Sequence, residues 1–74
     1  MIVTTTEQVP GRTVTTIHGI VRGYTESRER AEKRMKSEAK SMGADAVVGV
    51  RFMTAEDTDG ATEVLAYGTA VSLN

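Results

Sequence analysis

The pattern of hydrophobic and polar positions changes its period once along the chain, near Gly43. Before that glycine, small or apolar residues recur at the spacing of one helix face within a charged segment; they are Ala31, Met35, Ala39 and Met42. After it, apolar residues alternate from Ala46 to Phe52 as they do in a strand. A glycine at such a boundary can adopt the left-handed conformation that ends a helix. The sequence therefore predicts a helix from Glu26 to Met42 that is followed closely by a strand.

The charges of the predicted helix support it. Acidic residues precede basic ones by one helical turn, and each such pair stabilises a helix by about 0.2 to 0.5 kcal/mol; the pairs are Glu26 with Arg30, Glu29 with Lys33 and Glu32 with Lys36. Thr25 or Ser27 can cap the first turn. The basic residues could also form a nucleic-acid patch, but glutamates are interleaved with them and no aromatic platform accompanies them. A solvated helix face is the favoured interpretation.

Three further segments have the composition of strands. Met1 to Thr6 begins with β-branched and apolar residues, and Thr13 to Val21 is rich in threonine and branched aliphatic residues. Glu63 to Leu73 alternates large with small side chains. Gly19 and Gly23, at the end of the second segment, indicate a bulge, a bend or a close backbone approach. The predicted order is strand, strand, helix, strand, strand.

Asp59-Gly60 is a turn signal that predicts a hairpin between the last two strands. A turn centred there places large side chains opposite each other, Phe52 with Tyr67 and Val48 with Val71. It also puts Val48, Val50 and Phe52 on one face of the sheet and the small residues on the other. The predicted helix can cover only one of these faces. We expect a second subunit to cover the other.

Length and composition favour oligomerisation. We expect residues 1–74 to form a single domain, and a chain this small buries only about 60% of its unfolded surface. It has no cysteine for disulfides and a single histidine, which makes a structural zinc site improbable. Contacts between subunits are the remaining means of stabilising so small a core.

Charge and hydropathy exclude several partners. The formal net charge is −1, which predicts attraction to neither nucleic acid nor an anionic membrane. The first residues lack the basic and apolar regions of a signal peptide. No apolar run approaches the roughly 20 residues that span a bilayer. We therefore expect a cytoplasmic protein.

Four segments together resemble the small YbjQ-like family, often labelled heavy-metal-binding. They are Ile2-Val3-Thr4-Thr5-Thr6, Gly19-Ile20-Val21-Arg22-Gly23, the run Ala39 to Val50 with Gly43-Ala44-Asp45-Ala46-Val47-Val48-Gly49-Val50, and Gly68-Thr69-Ala70-Val71. The resemblance implies an α+β subunit similar to that of dodecin, a small antiparallel sheet with one helix in the order β-β-α-β-β. It also implies a homopentamer and no established reaction. Many members carry an insertion between the second strand and the helix, whereas here Gly23 is followed almost directly by Thr25 and Glu26. Any ligand role of that insertion is not transferred to this chain.

The candidate chemistry is limited. The serines have no local nucleophile motif, and one histidine leaves little room for a catalytic triad, so we expect no enzyme and identify no cofactor. Soft metals prefer thiolate and imidazole ligands, which one chain cannot supply in number. A metal site would have to form between subunits, from the imidazole of His18 and the carboxylates of Asp57, Asp59 or Glu63. Two classes remain open: an oligomer that binds a metal or small ligand between subunits, and a structural or protein-interaction ring without a ligand.

Overall fold

The computed structural model describes residues 1–56 and 60–74. The order of its elements confirms the predicted β-β-α-β-β arrangement and the α+β class. The elements are β1 (Ile2–Val3), β2 (Val14–Thr25), α1 (Arg28–Ser41), β3 (Ala46–Glu56) and β4 (Thr62–Leu73). The strands form one sheet in the order β1-β3-β4-β2, so β2 lies at one edge and β1 at the other.

The sheet is mixed because β1 runs parallel to β3, while the three long strands are antiparallel as expected. The regular part of β1 is short, but its pairing with β3 continues beyond it. Gly49 N–H donates to the carbonyl of Thr6 at 2.8 Å, and Val50 N–H donates to that of Thr4 at 3.0 Å. The predicted strand from Met1 to Thr6 is therefore a hydrogen-bonded edge segment of the sheet.

The start of α1 is stabilised by Ser27 and by one ion pair. The Ser27 side chain accepts a hydrogen bond from Arg30 N–H at 3.3 Å, which makes Ser27 the N-cap. Arg30 follows Glu26 by four residues, and its guanidinium group contacts the Glu26 carboxylate at 2.6 Å, as the charge pattern predicted. Both side chains of this ion pair are largely exposed, so its contribution is small.

The end of α1 confirms the prediction for Gly43. Its φ is +81°, in the left-handed region. Gly43 N–H donates to the carbonyl of Lys40 at 3.0 Å, and Ala44 N–H donates to that of Ala39 at 3.1 Å. This pair of bonds is the Schellman arrangement, which satisfies carbonyl groups that the helix itself leaves without partners.

The helix packs on one face of the sheet through Ala31, Met35 and Ala39, which are fully buried. Met42, predicted to share that face, is the C-cap and is exposed, because the helix ends one residue earlier. Gly23 of β2 lies directly beneath α1. A Cβ atom there would be 2.0 Å from the Ala31 carbonyl oxygen and 2.7 Å from the Met35 nitrogen. The absence of a side chain at Gly23 therefore allows this helix and this strand to pack in direct contact.

The core lies between α1 and the sheet and is built mainly from valine and alanine. Its buried strand residues are Val21, Val47, Val50, Val64, Ala66 and Ala70. Small side chains on β4 let the sheet approach the helix closely. The predicted small-residue face of β4 is thus the one that the helix covers.

The predicted facing of β3 is wrong for half of the strand. The pairing of β3 with β4 shifts between Val48 and Arg51, and Gly49 within this bulge has a φ of +62°. The extra residue reverses the alternation of side chains. As a result Val50 and Phe52 pack against the helix-side core, while Val48 belongs to a cluster on the opposite face.

The register of the hairpin also differs from the predicted one. The observed pairs are Phe52 with Ala66 and Val48 with Thr69, instead of Phe52 with Tyr67 and Val48 with Val71. The predicted turn residue Asp59 lies outside the described part of the chain. The bulge at Gly49 accounts for part of the difference, since it changes the register along the strand.

Candidate functional site

His18 lies in β2 where its pairing with β4 is irregular, between Ile17 and Gly19. The imidazole is half-buried, and its Nε2 is 2.6 Å from the hydroxyl oxygen of Ser72 on β4. Gly19 has a φ of +132°, which fits the bulge or bend expected from the sequence. The histidine is therefore held by a neutral hydroxyl group.

Glu63 lies near the other end of β4, where its carboxylate accepts a hydrogen bond from the Tyr24 hydroxyl. Ser72, the partner of His18, follows Glu63 by nine residues on the same strand. At about 3.3 Å per residue this places His18 and Glu63 roughly 30 Å apart. One chain cannot bring these two side chains to the same ion. The other carboxylates predicted for a metal site, Asp57 and Asp59, lie outside the described residues.

The described residues of one chain do not fit a heavy-metal site. Across residues 1–56 and 60–74, no group of three histidine, cysteine, aspartate or glutamate side chains is close enough to hold an ion. The sequence supplies no thiolate and a single imidazole. Soft metals need several such donors around one centre. A site of this kind has to draw ligands from more than one copy of the chain.

The sheet face turned away from α1, here called the open face, is only partly covered, by Val9, which packs on the buried cluster of Ala46, Val48, Val71 and Leu73. Val21 and Gly23 face the helix, so the residues that alternate with them on β2 face the opposite side. Cross-strand pairing arranges the open face in rows over β2, β4 and β3. Three consecutive rows are Tyr24, Leu65 and Met53; Arg22, Tyr67 and Arg51; and Ile20, Thr69 and Val48.

The open face exposes large apolar side chains. Ile17 is 71% exposed and Ile20 is 67% exposed, and Met53 and Tyr24 are about half exposed on the same face. Isolated apolar side chains are normal on protein surfaces, but contiguous apolar patches mark interaction sites. Within the described part of the chain, the open face is therefore our candidate for a functional surface.

A groove of about 480 Å³ crosses the open face between β2 and β3. Half of its lining residues are branched aliphatic, namely Val14, Ile17, Val48 and Val71; the others are Glu7, Gly49, Arg51 and Thr69. The guanidinium group of Arg51 donates to the carbonyl oxygens of Thr5 at 2.9 Å and Val50 at 2.8 Å. The N-terminal segment and the bulge in β3 together position this arginine.

Comparison with known proteins identifies the family. A family model described as "Putative heavy-metal-binding" matches residues 23–74. The chain belongs to this YbjQ-like family. Its relatives include UPF0145 proteins of Vibrio campbellii (40% identical), Thermotoga maritima (41% identical) and Methanosarcina acetivorans (38% identical). Each alignment covers 99% of this chain and 97 to 99% of the relative.

The YbjQ-like relatives are longer than this member. Their alignments extend over 103 positions, although this chain has 74 residues. The relatives therefore carry residues that this chain lacks.

A solved structure supports the fold. A crystal structure of a protein with unknown function from Pediococcus pentosaceus, described as a member of the DUF74 family, superposes with a TM-score of 0.74. It covers 100% of this chain and 98% of its own, at 19% sequence identity. This likeness confirms the α+β architecture. Among the described residues, no helix is long and apolar enough to cross a membrane.

Sequence reasoning missed the two arginines of the open face. The alternation of Ile20, Arg22 and Tyr24 does indicate that these residues share a face. The position of Arg51 beside them was not evident, because it depends on the bulge at Gly49.

Proposed function

We propose that this chain is a non-catalytic domain that functions as a homo-oligomer, with a pentamer as its basic ring. The observation that carries the proposal is the exposure of Ile17 and Ile20 on the open face. Burying one large aliphatic side chain contributes about 1.5 to 3 kcal/mol. For a chain of 74 residues, that is a large fraction of the total stability. The number of subunits, five, is what the resemblance to the family implies.

We propose further that a metal ion or small ligand binds where subunits meet. Two observations support a site of this kind over one within a subunit: the separation of His18 from Glu63, and the groove beside Ile17, which a neighbouring subunit of the ring would close. Ligand pockets in proteins commonly have volumes of about 300 to 1,000 Å³ with mostly apolar walls. The groove falls within that range.

The second candidate is a structural or protein-interaction ring without a ligand. The lack of a three-donor cluster among the described residues favours it. Calorimetric titration of the intact oligomer with zinc or copper separates the two candidates.

Self-association is tested by comparing the wild-type chain with Ile20→Asp by light scattering over a range of concentrations. Ile20→Asp places a carboxylate in the apolar contact, and we expect it to dissociate the ring. Lys33→Asp, on the exposed surface of α1, is the matched control and should keep the wild-type mass. A folded wild-type monomer at micromolar concentration, or equal masses for the wild type and Ile20→Asp, would contradict the proposal.

A further inference from the structure

Two arginines flank Tyr67 in the middle of the open face. Arg22 of β2 and Arg51 of β3 both lie directly opposite Tyr67 of β4, so the three side chains form one row across the sheet. Both arginines are exposed. Their side chains point away from α1, because Val21 and Gly23 occupy the helix side.

Among residues 1–56 and 60–74, no carboxylate pairs with the two arginines of this row. The guanidinium group of Arg51 donates to neutral carbonyl oxygens, those of Thr5 and Val50. In the described part of the chain, neither Arg22 nor Arg51 forms an ion pair. Glu7 lines the same groove as Arg51 but is not paired with it. Covering two unpaired guanidinium groups costs several kcal/mol, so whatever covers them must bring an anion.

The open face also carries an anion of its own. Glu63 precedes Leu65 by two residues and Tyr67 by four on β4, so the three side chains project on the same side of the strand. The Glu63 side chain is half-buried and accepts the hydrogen bond of Tyr24. It is therefore held in place on the face that needs a counter-charge.

The order of rows along β4 is acidic, apolar, basic. The apolar row contains Tyr24, Leu65 and Met53, and the acidic and basic positions each lie about 7 Å from it at the usual strand rise. A twofold axis along this apolar row would bring two copies face to face. It would stack apolar row on apolar row and place Glu63 of each copy above Tyr67 of the other.

We propose that a second copy of this chain packs on the open face in this way, with its Glu63 between Arg22 and Arg51. The contact is isologous, because the same surface serves both copies. It rests on the proposed self-association, in which Ile17 and Ile20, beyond the basic row on the side away from Leu65, form the ring. The face-to-face contact then joins one ring to another.

At its free edge, β2 already has hydrogen-bond partners from α1. A second copy would therefore pack on the open face in preference to adding a strand beside β2. Arg22 N–H donates to the Glu38 carboxylate at 3.3 Å, and Arg34 donates to the Tyr24 carbonyl at 3.2 Å. Side chains of α1 thus occupy the backbone groups that an added strand would need. The face remains accessible.

The test uses two charge-reversed chains, one with Glu63→Lys and one with Arg22→Glu and Arg51→Glu. Each chain alone places like charges in the contact. The concentration at which particles double their subunit number should therefore rise roughly tenfold or more. An equal mixture restores opposite charges on both sides of each mixed contact and should regain the doubled particle. Lys33→Glu on α1 is the control and should behave as the wild type.

The outcomes distinguish this inference from the proposed function. A wild-type ring that never doubles, or arginine variants that double as readily as the wild type, would overturn the inference and leave the ring intact. A mixture that fails to double, with both chains folded by circular dichroism, would also overturn it. Loss of all assembly in the wild type would overturn both.

Discussion

At Gly23, the contact between helix and strand depends on the absence of a side chain. Gly23→Ala would insert a Cβ atom 2.0 Å from the Ala31 carbonyl oxygen, and backbone atoms cannot move aside cheaply. We expect the free energy of unfolding to fall by about 1 to 3 kcal/mol or more, as in other overpacked sites. Chemical denaturation monitored by circular dichroism measures this loss. An unchanged denaturation midpoint would show that α1 does not pack on Gly23 as described.

Gly43 provides a contrasting case in which conformation alone sets the effect. Its φ is +81°, and a Cβ atom there would meet nothing within 4 Å. Gly43→Ala should lower the free energy of unfolding by about 1 kcal/mol through the strain of a left-handed alanine. Gly43→Asn should cost less, because asparagine tolerates this conformation better. A melting temperature for Gly43→Ala equal to or above that of the wild type would contradict the assignment.

The sequence alone predicted the structural role of Gly43 better than that of Gly23. Gly43 follows a helical pattern and precedes a strand pattern, so its capping role was evident from the sequence. Gly23 was expected to mark a bulge, a bend or a close approach, and only the packed helix decides among them. Gly49 carried no signal of its own, since it occupies a regular position in an alternating run. The bulge there depends on pairing with distant residues of β4.

Among the secondary-structure elements, α1 depends on its N-cap, Ser27, for the stability of its first turn. Ser27→Ala removes the acceptor for Arg30 N–H and should destabilise the protein by about 1 kcal/mol. Ser37→Ala, at an exposed position within the same helix, is the matched control. It should be neutral or slightly stabilising, because alanine favours helices. Thermal unfolding measures both, and equal effects of the two substitutions would refute the capping role of Ser27.

The elements themselves were largely predictable, but their arrangement was less so. Helix and strand periods, with the glycines between them, predicted the order of elements because these signals are local. The parallel pairing of β1 with β3 joins residues far apart in the chain, and no local pattern encodes it. The same holds for the open face, where Arg22 and Arg51 meet across β4 only after the sheet has formed.

For the whole molecule, the metal label of the family can be tested by calorimetric titration with zinc or copper. We expect no tight binding of one ion per chain, because His18 and Glu63 lie far apart and no cysteine is present. The number of ions bound should be set by the number of rings, not of chains, and the affinity should be lower in His18→Ala. Tight binding of one metal per chain that persists in both His18→Ala and the dissociated Ile20→Asp chain would contradict a site between subunits.

We propose that this chain functions as an assembly whose subunits cover the apolar open face. Native mass spectrometry of untreated protein at micromolar concentration tests it most directly, since it reports the number of subunits and any retained ligand together. We expect a pentamer or a pair of pentamers, and a stability that rises with protein concentration. A folded monomer with concentration-independent stability would contradict it.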